Sequence, residues 1–128
     1  MQDSTHRVPG KTLLAIVELG GYPNFASLYQ AAGYQVVEQI SMRKALSYLK
    51  HSGPAVIVAE FNFQPAFRDR TSNLESMLAV AQGLPETTVI VFYDPVYGDQ
   101  LEKLRARFPN FKALPYPVDA RRLQSYLR

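Results

Sequence analysis

Two glutamates each close an apolar run: Glu18 follows residues 13 to 17, and Glu60 follows residues 55 to 59. Placed at the C-terminal edge of one sheet, such a pair could do acid–base chemistry, provided its surroundings drive the two pKa values apart. No supporting group accompanies them. His6 sits close to the start of the chain and His51 ends a helical pattern, positions where imidazoles are usually solvated, and no serine motif is present. The absence of cysteine excludes disulfides, thiolate metal sites and cysteine nucleophiles. Gly20 and Gly21 follow a strand-like run but belong to neither G-x-G-x-x-G nor G-x-x-x-x-G-K-[ST], so they read as a turn and not as a phosphate cradle. The chain therefore reads as a protein without catalysis, cofactor or metal, and the chemistry left to it is recognition.

Charge points to where recognition would occur. Residues 1 to 102 carry 7 basic and 10 acidic side chains, whereas residues 103 to 128 carry 7 basic and 1 acidic. Lys103, Arg105, Arg107, Lys112, Arg121 and Arg122, with Tyr97 beside them, fall on or near the last two helices and the strand between them. A surface of that sign favours an acidic protein partner, with a solvated helix face as the plain alternative. Nucleic acid is the weaker version, because no helix-turn-helix or other reading element is visible. A second candidate is the segment 61 to 71, which is rich in both aromatic and basic residues: Phe61, Phe63, Phe67, Arg68 and Arg70. It reads equally as a binding loop or as rings folded over the sheet edge.

The elements that must position these residues follow from periodicity. Residues 11 to 17, 34 to 38, 55 to 59, 87 to 93 and 111 to 114 read as strands, the third as a run buried on both faces. Between them lie five amphipathic patterns. Asn24 precedes Phe25, Leu28, Tyr29 and Ala32, stopped by Gly33; Ser41 precedes Met42, Ala45, Leu46 and Leu49. Ser72 and Glu75 make a capping-box pattern ahead of Leu74, Met77, Leu78 and Ala81. Leu101, Leu104 and Phe108 mark a fourth helix over residues 99 to 108, ended by Pro109, and Asp119 caps a fifth with Ala120, Leu123 and Leu127 on its buried face. Strict alternation with short connections gives a three-layer α/β/α sandwich around a parallel five-stranded sheet.

At 128 residues the chain is sized for one domain with one core, and its 47% hydrophobic content is ordinary for a globular protein. The longest apolar run, residues 13 to 17, is far short of the ~20 needed to span a bilayer, and the polar stretch 1 to 10 lacks a secretory-signal core. The expectation is a cytoplasmic protein: a frayed leader over residues 1 to 10, then one domain over residues 11 to 128.

Two local motifs carry a family resemblance. Residues 54 to 62, Pro-Ala-Val-Ile-Val-Ala-Glu-Phe-Asn, look like the third strand and phosphorylation loop of response-regulator receiver domains, and residues 113 to 119, Ala-Leu-Pro-Tyr-Pro-Val-Asp, look like that family's fifth-strand end and final helix start. The chain thus resembles the CheY-like superfamily over residues 11 to 128, which implies a flavodoxin-like fold with strand order 2-1-3-4-5 and a cis peptide before Pro117.

The family's phosphoryl transfer needs an acceptor aspartate, an acidic pair for magnesium, a Thr or Ser switch and a Lys. The matching positions hold Glu60, the pair Glu18 and Leu19, Tyr93 and Tyr116. Leu19 cannot ligate a hard cation that requires oxygen donors. Tyr93 is too large for the switch position, and Tyr116 supplies no cation for a transferring phosphoryl group. Glu60 carries its carboxylate one methylene farther out than aspartate, as a phosphorylated aspartate carries its charge. The resemblance therefore implies a degenerate receiver, a phosphorylation-independent signalling module acting through protein partners, including a homodimer through the face of the fourth helix, fifth strand and fifth helix. The alternatives are a working phosphoacceptor receiver with an atypical site and a nucleic-acid-associated regulatory subunit.

Overall fold

The computed structural model describes residues 11 to 18, 22 to 61 and 72 to 127. The expected leader over residues 1 to 10 and most of the aromatic and basic loop, residues 62 to 71, lie outside them.

Five parallel strands, β1 (Thr12–Ile16), β2 (Gln35–Gln39), β3 (Val56–Phe61), β4 (Thr88–Tyr93) and β5 (Lys112–Pro115), form one sheet in the order β2-β1-β3-β4-β5. The helices are α1 (Ala26–Ala31), α2 (Met42–Leu49), α3 (Ser72–Ala81), α4 (Gly98–Arg107) and α5 (Ala120–Tyr126). This is the flavodoxin-like arrangement in strand order 2-1-3-4-5. No helix among the described residues is long and apolar enough to cross a membrane.

Successive strand residues point to opposite faces, and this alternation splits the core in two. Leu14, Ile16, Ile57, Ala59, Phe61, Val89 and Val91 pack with the inner faces of α2, α3 and α4. Leu13, Ala15, Val56, Val58, Ile90, Phe92 and Leu114 pack with Tyr29 of α1 and with Leu123 and Leu127 at α5. All six residues of β3, Glu60 included, are buried, as the apolar run that opens it leads one to expect of a central strand.

The helix ends follow local chemistry. Gly33, at φ +98°, completes a Schellman turn after α1, its N–H donating to Gln30 O and the Tyr34 N–H to Tyr29 O. Asn24 Oδ1 accepts from the Ala26 N–H at 2.8 Å, Ser41 Oγ from the Lys44 N–H at 3.2 Å, and Asp119 Oδ1 from the N–H groups of Arg121 and Arg122 at 2.8 and 3.4 Å.

Helix α3 begins at Ser72, and the Glu75 carboxylate pairs with Arg107 of α4 at 3.0 Å. One expectation needs correction, at Ala120. Ala120 is exposed, because the first residue of α5 precedes the turn that meets the sheet. Ahead of α4, Asp94 Oδ1 accepts from the Val96 N–H at 3.0 Å and opens a 3-10 turn, Pro95–Tyr97, that runs into the helix. The Tyr116–Pro117 peptide is cis.

Candidate functional site

The carboxyl ends of the strands meet at one edge of the sheet, where open α/β folds place their ligands. Glu60 is the penultimate residue of β3 and pairs in register with Phe92 of β4. Since Ala59 and Phe61 face the α2–α3–α4 layer, Glu60 faces the α1–α5 layer, where it is the one buried charged side chain among the described residues, at 6% exposure.

Aromatic rings surround it. Tyr22, at the approach to α1, lies 5.5 Å from Phe92 in a tilted contact and 5.7 Å from Tyr116, edge-on. Phe25 meets Phe92 edge-on at 5.8 Å and Tyr29 at 6.5 Å. Such geometries match the ring quadrupoles and add to the area they bury. Burial, then the charge of Glu60, then those of Asp94 and Tyr116, push the Tyr22 phenol up to about 12. Burial alone pushes the Tyr29 phenol upward. Between these rings and the sheet lies a cavity of about 100 Å³ lined by Tyr22, Phe25, Tyr29 and Phe92, with Glu60 on β3 and Glu38 on β2 contributing the carboxylates.

The matched positions separate around this edge. Tyr93 is half-buried against the α2–α3–α4 core, on the opposite face of the sheet from Glu60. Tyr116 is 48% exposed and held at the end of β5 by its N–H, which donates to Tyr93 O at 2.8 Å. Glu18 is half-buried just beyond β1 and does not line the cavity; the second carboxylate there is Glu38. The cavity's two carboxylates, Glu38 and Glu60, stand two strands apart. Leu19 lies outside the described residues. Among those residues no three His, Cys, Asp or Glu side chains converge to hold a metal ion.

The basic set is divided too. Arg105 is turned inward: its Nη1 donates to Phe111 O at 2.8 Å, its guanidinium lies 4.5 Å from the Phe111 ring centroid, and its Nε is 3.6 Å from Glu102. Arg107 bridges to Glu75 and stacks on Phe108 at 5.3 Å. Lys112 lies over the Tyr126 ring at 5.3 Å, and Tyr97 is half-buried against the core. Lys103, Arg121 and Arg122 are exposed. Of the seven, Lys103, Arg107, Lys112, Arg121 and Arg122 are exposed and Tyr97 and Arg105 half-buried, while Arg105, Arg107 and Lys112 also make contacts that hold α4 and β5 in place.

Sequence reasoning missed Tyr22, Glu38 and Asp94. The alternation of Val36 and Glu38 on an edge strand was a usable signal for Glu38, as was the Asp-Pro pair at residues 94 and 95 for the turn. Nothing local marks Tyr22, whose role arises from contacts with β4 and β5.

No protein-family model and no curated protein matches the sequence. Solved structures do match the fold. A response regulator receiver protein from Sinorhizobium medicae superposes with a TM-score of 0.64 at 21% identity, covering 91% of this chain and 90% of that one. A response regulator receiver domain protein from Clostridium thermocellum gives 0.66 at 19% identity, with 91% and 90% covered. The chemotaxis protein CheY4 of Vibrio cholerae gives 0.61 at 18% identity, with 91% and 94% covered. At these identities the likeness concerns the backbone: this chain has the fold of response-regulator receiver domains.

Proposed function

We propose that the chain is a degenerate receiver, a cytoplasmic signalling module over residues 11 to 128 that acts by binding protein partners without a phosphorylation step and without catalysis of its own. The reading rests on the receiver-like fold and on one observation above all: the strand ends carry a buried glutamate inside an aromatic cluster, with Tyr93 on the far face of the sheet and an exposed Tyr116 in place of a cation. A phosphoryl group arriving there would meet rings and a second carboxylate, Glu38, and not the positive charge its transition state requires.

The partner surface in this reading is the face of α4, β5 and α5, recognised through Lys103, Arg121 and Arg122. Charged contacts of this kind steer encounter and weaken with salt, which screens over about 8 to 10 Å. The test is affinity capture from extract of the native cell with the wild type and with the Lys103→Glu, Arg121→Glu, Arg122→Glu triple variant, alongside sedimentation analysis for a homodimer. A specific protein or self-association lost in the variant supports the reading. Capture unchanged by the variant, or capture of nucleic acid in place of protein, overturns it.

A further inference from the structure

We infer that the outer edge of β2 is the interface of a homodimer, in which two copies pair β2 to β2 antiparallel across a two-fold axis and join their sheets into one. β2 ends the sheet order, and no described element pairs with its outer side. The ladder with β1 decides which backbone groups are left there. The Gln35 N–H donates to Lys11 O and Gln39 O accepts from the Val17 N–H, each at 2.9 Å, so residues 35, 37 and 39 bond inward. Val36 and Glu38 therefore turn both backbone groups outward, and Tyr34 its carbonyl. Sheet edges are usually blunted by proline, lysine or covering groups, and the opposite edge shows this. Because the Tyr116 N–H donates to Tyr93 O, residues 111, 113 and 115 turn outward in β5, where Pro115 has no N–H to offer and Arg105 occupies the Phe111 carbonyl. β2 has neither proline nor lysine. The surface beside it is uncharged too: residues 19 to 37, which include α1, have no charged side chain in a chain that is 20% charged. Depletion of charge marks the cores of interfaces, and the exposed residues of α1, Ser27, Gln30 and Ala31, set no charge against a second α1.

Charge selects the occupant and the register. Lys11 lies over the Tyr34 ring at 5.0 Å, and Lys11, Tyr34, Val36 and Glu38 share the α1–α5 face of the sheet. Setting Val36 against Val36 of the partner subunit puts Glu38 opposite the partner subunit's Tyr34 and beside the partner subunit's Lys11. The two-fold axis repeats this exchange of acid and base, so the edge is complementary to itself. The same register holds the two Glu38 side chains roughly 14 Å apart, four residue steps along the strand and one strand spacing across it. Centring on Val37 would bring them to roughly 8 Å on a diagonal, where like charges repel. About four backbone hydrogen bonds form around Val36: the two Val36 residues exchange N–H and C=O, and each Glu38 N–H donates to the carbonyl of Tyr34 of the partner subunit.

The experiment is analytical ultracentrifugation of the full chain over a concentration series to roughly 1 mM, with hydrogen exchange read at the Val36 and Glu38 amides. A dimer is expected whose formation protects both amides. Val36→Pro, which deletes an outward N–H where an edge strand tolerates proline, should weaken dimerisation at least about tenfold. Glu38→Lys and Lys11→Glu, both at exposed positions, should each weaken it at least about tenfold. The double exchange should restore it to within about threefold of wild type, a recovery that a merely damaged fold does not show. The inference does not rest on the partner face proposed above: the Lys103→Glu, Arg121→Glu, Arg122→Glu variant should dimerise as the wild type does. A chain that stays monomeric across the series, a dimer indifferent to the β2 variants, a double exchange that fails to rescue, or a dimer that only the basic-face variant dissociates overturns the inference.

Discussion

Arg105 separates a docking cation from a structural one. As a docking residue it would be exposed, and its removal would leave stability nearly unchanged. Its side chain is instead 32% exposed and makes two contacts with Phe111 across the α4–β5 connection and one with Glu102 within α4. A charge-assisted hydrogen bond to a carbonyl contributes about 1.5 kcal/mol or more, and a partly exposed cation–π contact about 0.5 kcal/mol. The neighbouring ion pair with Glu102, at 3.6 Å in an i, i+3 relation, adds at most about 0.3 kcal/mol. Arg105→Ala should therefore cost about 2 kcal/mol. For a domain of this size each kcal/mol lowers Tm by roughly 3 to 5 °C, so calorimetry or thermal circular dichroism should register a fall of about 8 °C. Arg105→Lys should recover only a small part, because a lysine ammonium cannot both lie flat on the Phe111 ring and donate in the plane of the carbonyl. Lys103→Ala, two residues earlier and exposed, is the control and should change Tm by under about 2 °C. A cost below about 0.5 kcal/mol for Arg105→Ala would refute this reasoning and return Arg105 to the docking face.

Gly33→Ala should destabilise by about 1 kcal/mol, measured by urea unfolding. The cost comes from the backbone, because φ +98° is unfavourable for any residue with a Cβ, while the new methyl would meet only the end of the Lys11 side chain at 3.9 Å. The raised pKa of Tyr22 makes stability fall at high pH: below pH 10 both states hold a neutral phenol, and between about pH 10 and 12 the unfolded chain ionises first. Discounted for solvent screening, the loss due to Tyr22 is about 1 kcal/mol, and Tyr22→Phe should abolish that part of the decline in a pH series of unfolding curves. The Lys103→Glu, Arg121→Glu, Arg122→Glu variant should keep its Tm within about 3 °C of wild type while losing its partner, since all three side chains are exposed; a large drop in Tm would make them structural.

Local signals made much of the fold legible. Ser41, Asp119 and Gly33 act at helix ends through bonds to residues two to four positions away, so their roles are written in adjacent sequence. The buried run of β3 likewise needs only its own composition. What escaped depended on residues distant in sequence: nothing near Glu75 signals the Arg107 that α4 brings to it. Arg105, Arg107 and Lys112 are indistinguishable from Arg121 and Arg122 in a charge count, and Phe111, Phe108 and Tyr126 decide which of them are occupied. The same holds at the site. Glu60, Tyr93 and Tyr116 could be placed at strand ends from the sequence, but Glu38 joins the cavity across β1, which separates β2 from β3, and Tyr22 joins it from the approach to α1 on the same face of the sheet.

The central claim, a receiver fold whose phosphoryl chemistry has been replaced, is tested most directly by intact-mass spectrometry of the full chain after incubation with acetyl phosphate and magnesium. With Tyr116 where a lysine would be needed and Glu60 buried among rings, the mass should remain that of the unmodified protein. A gain of one phosphoryl group that disappears in Glu60→Gln would contradict the account and make this chain a working phospho-switch.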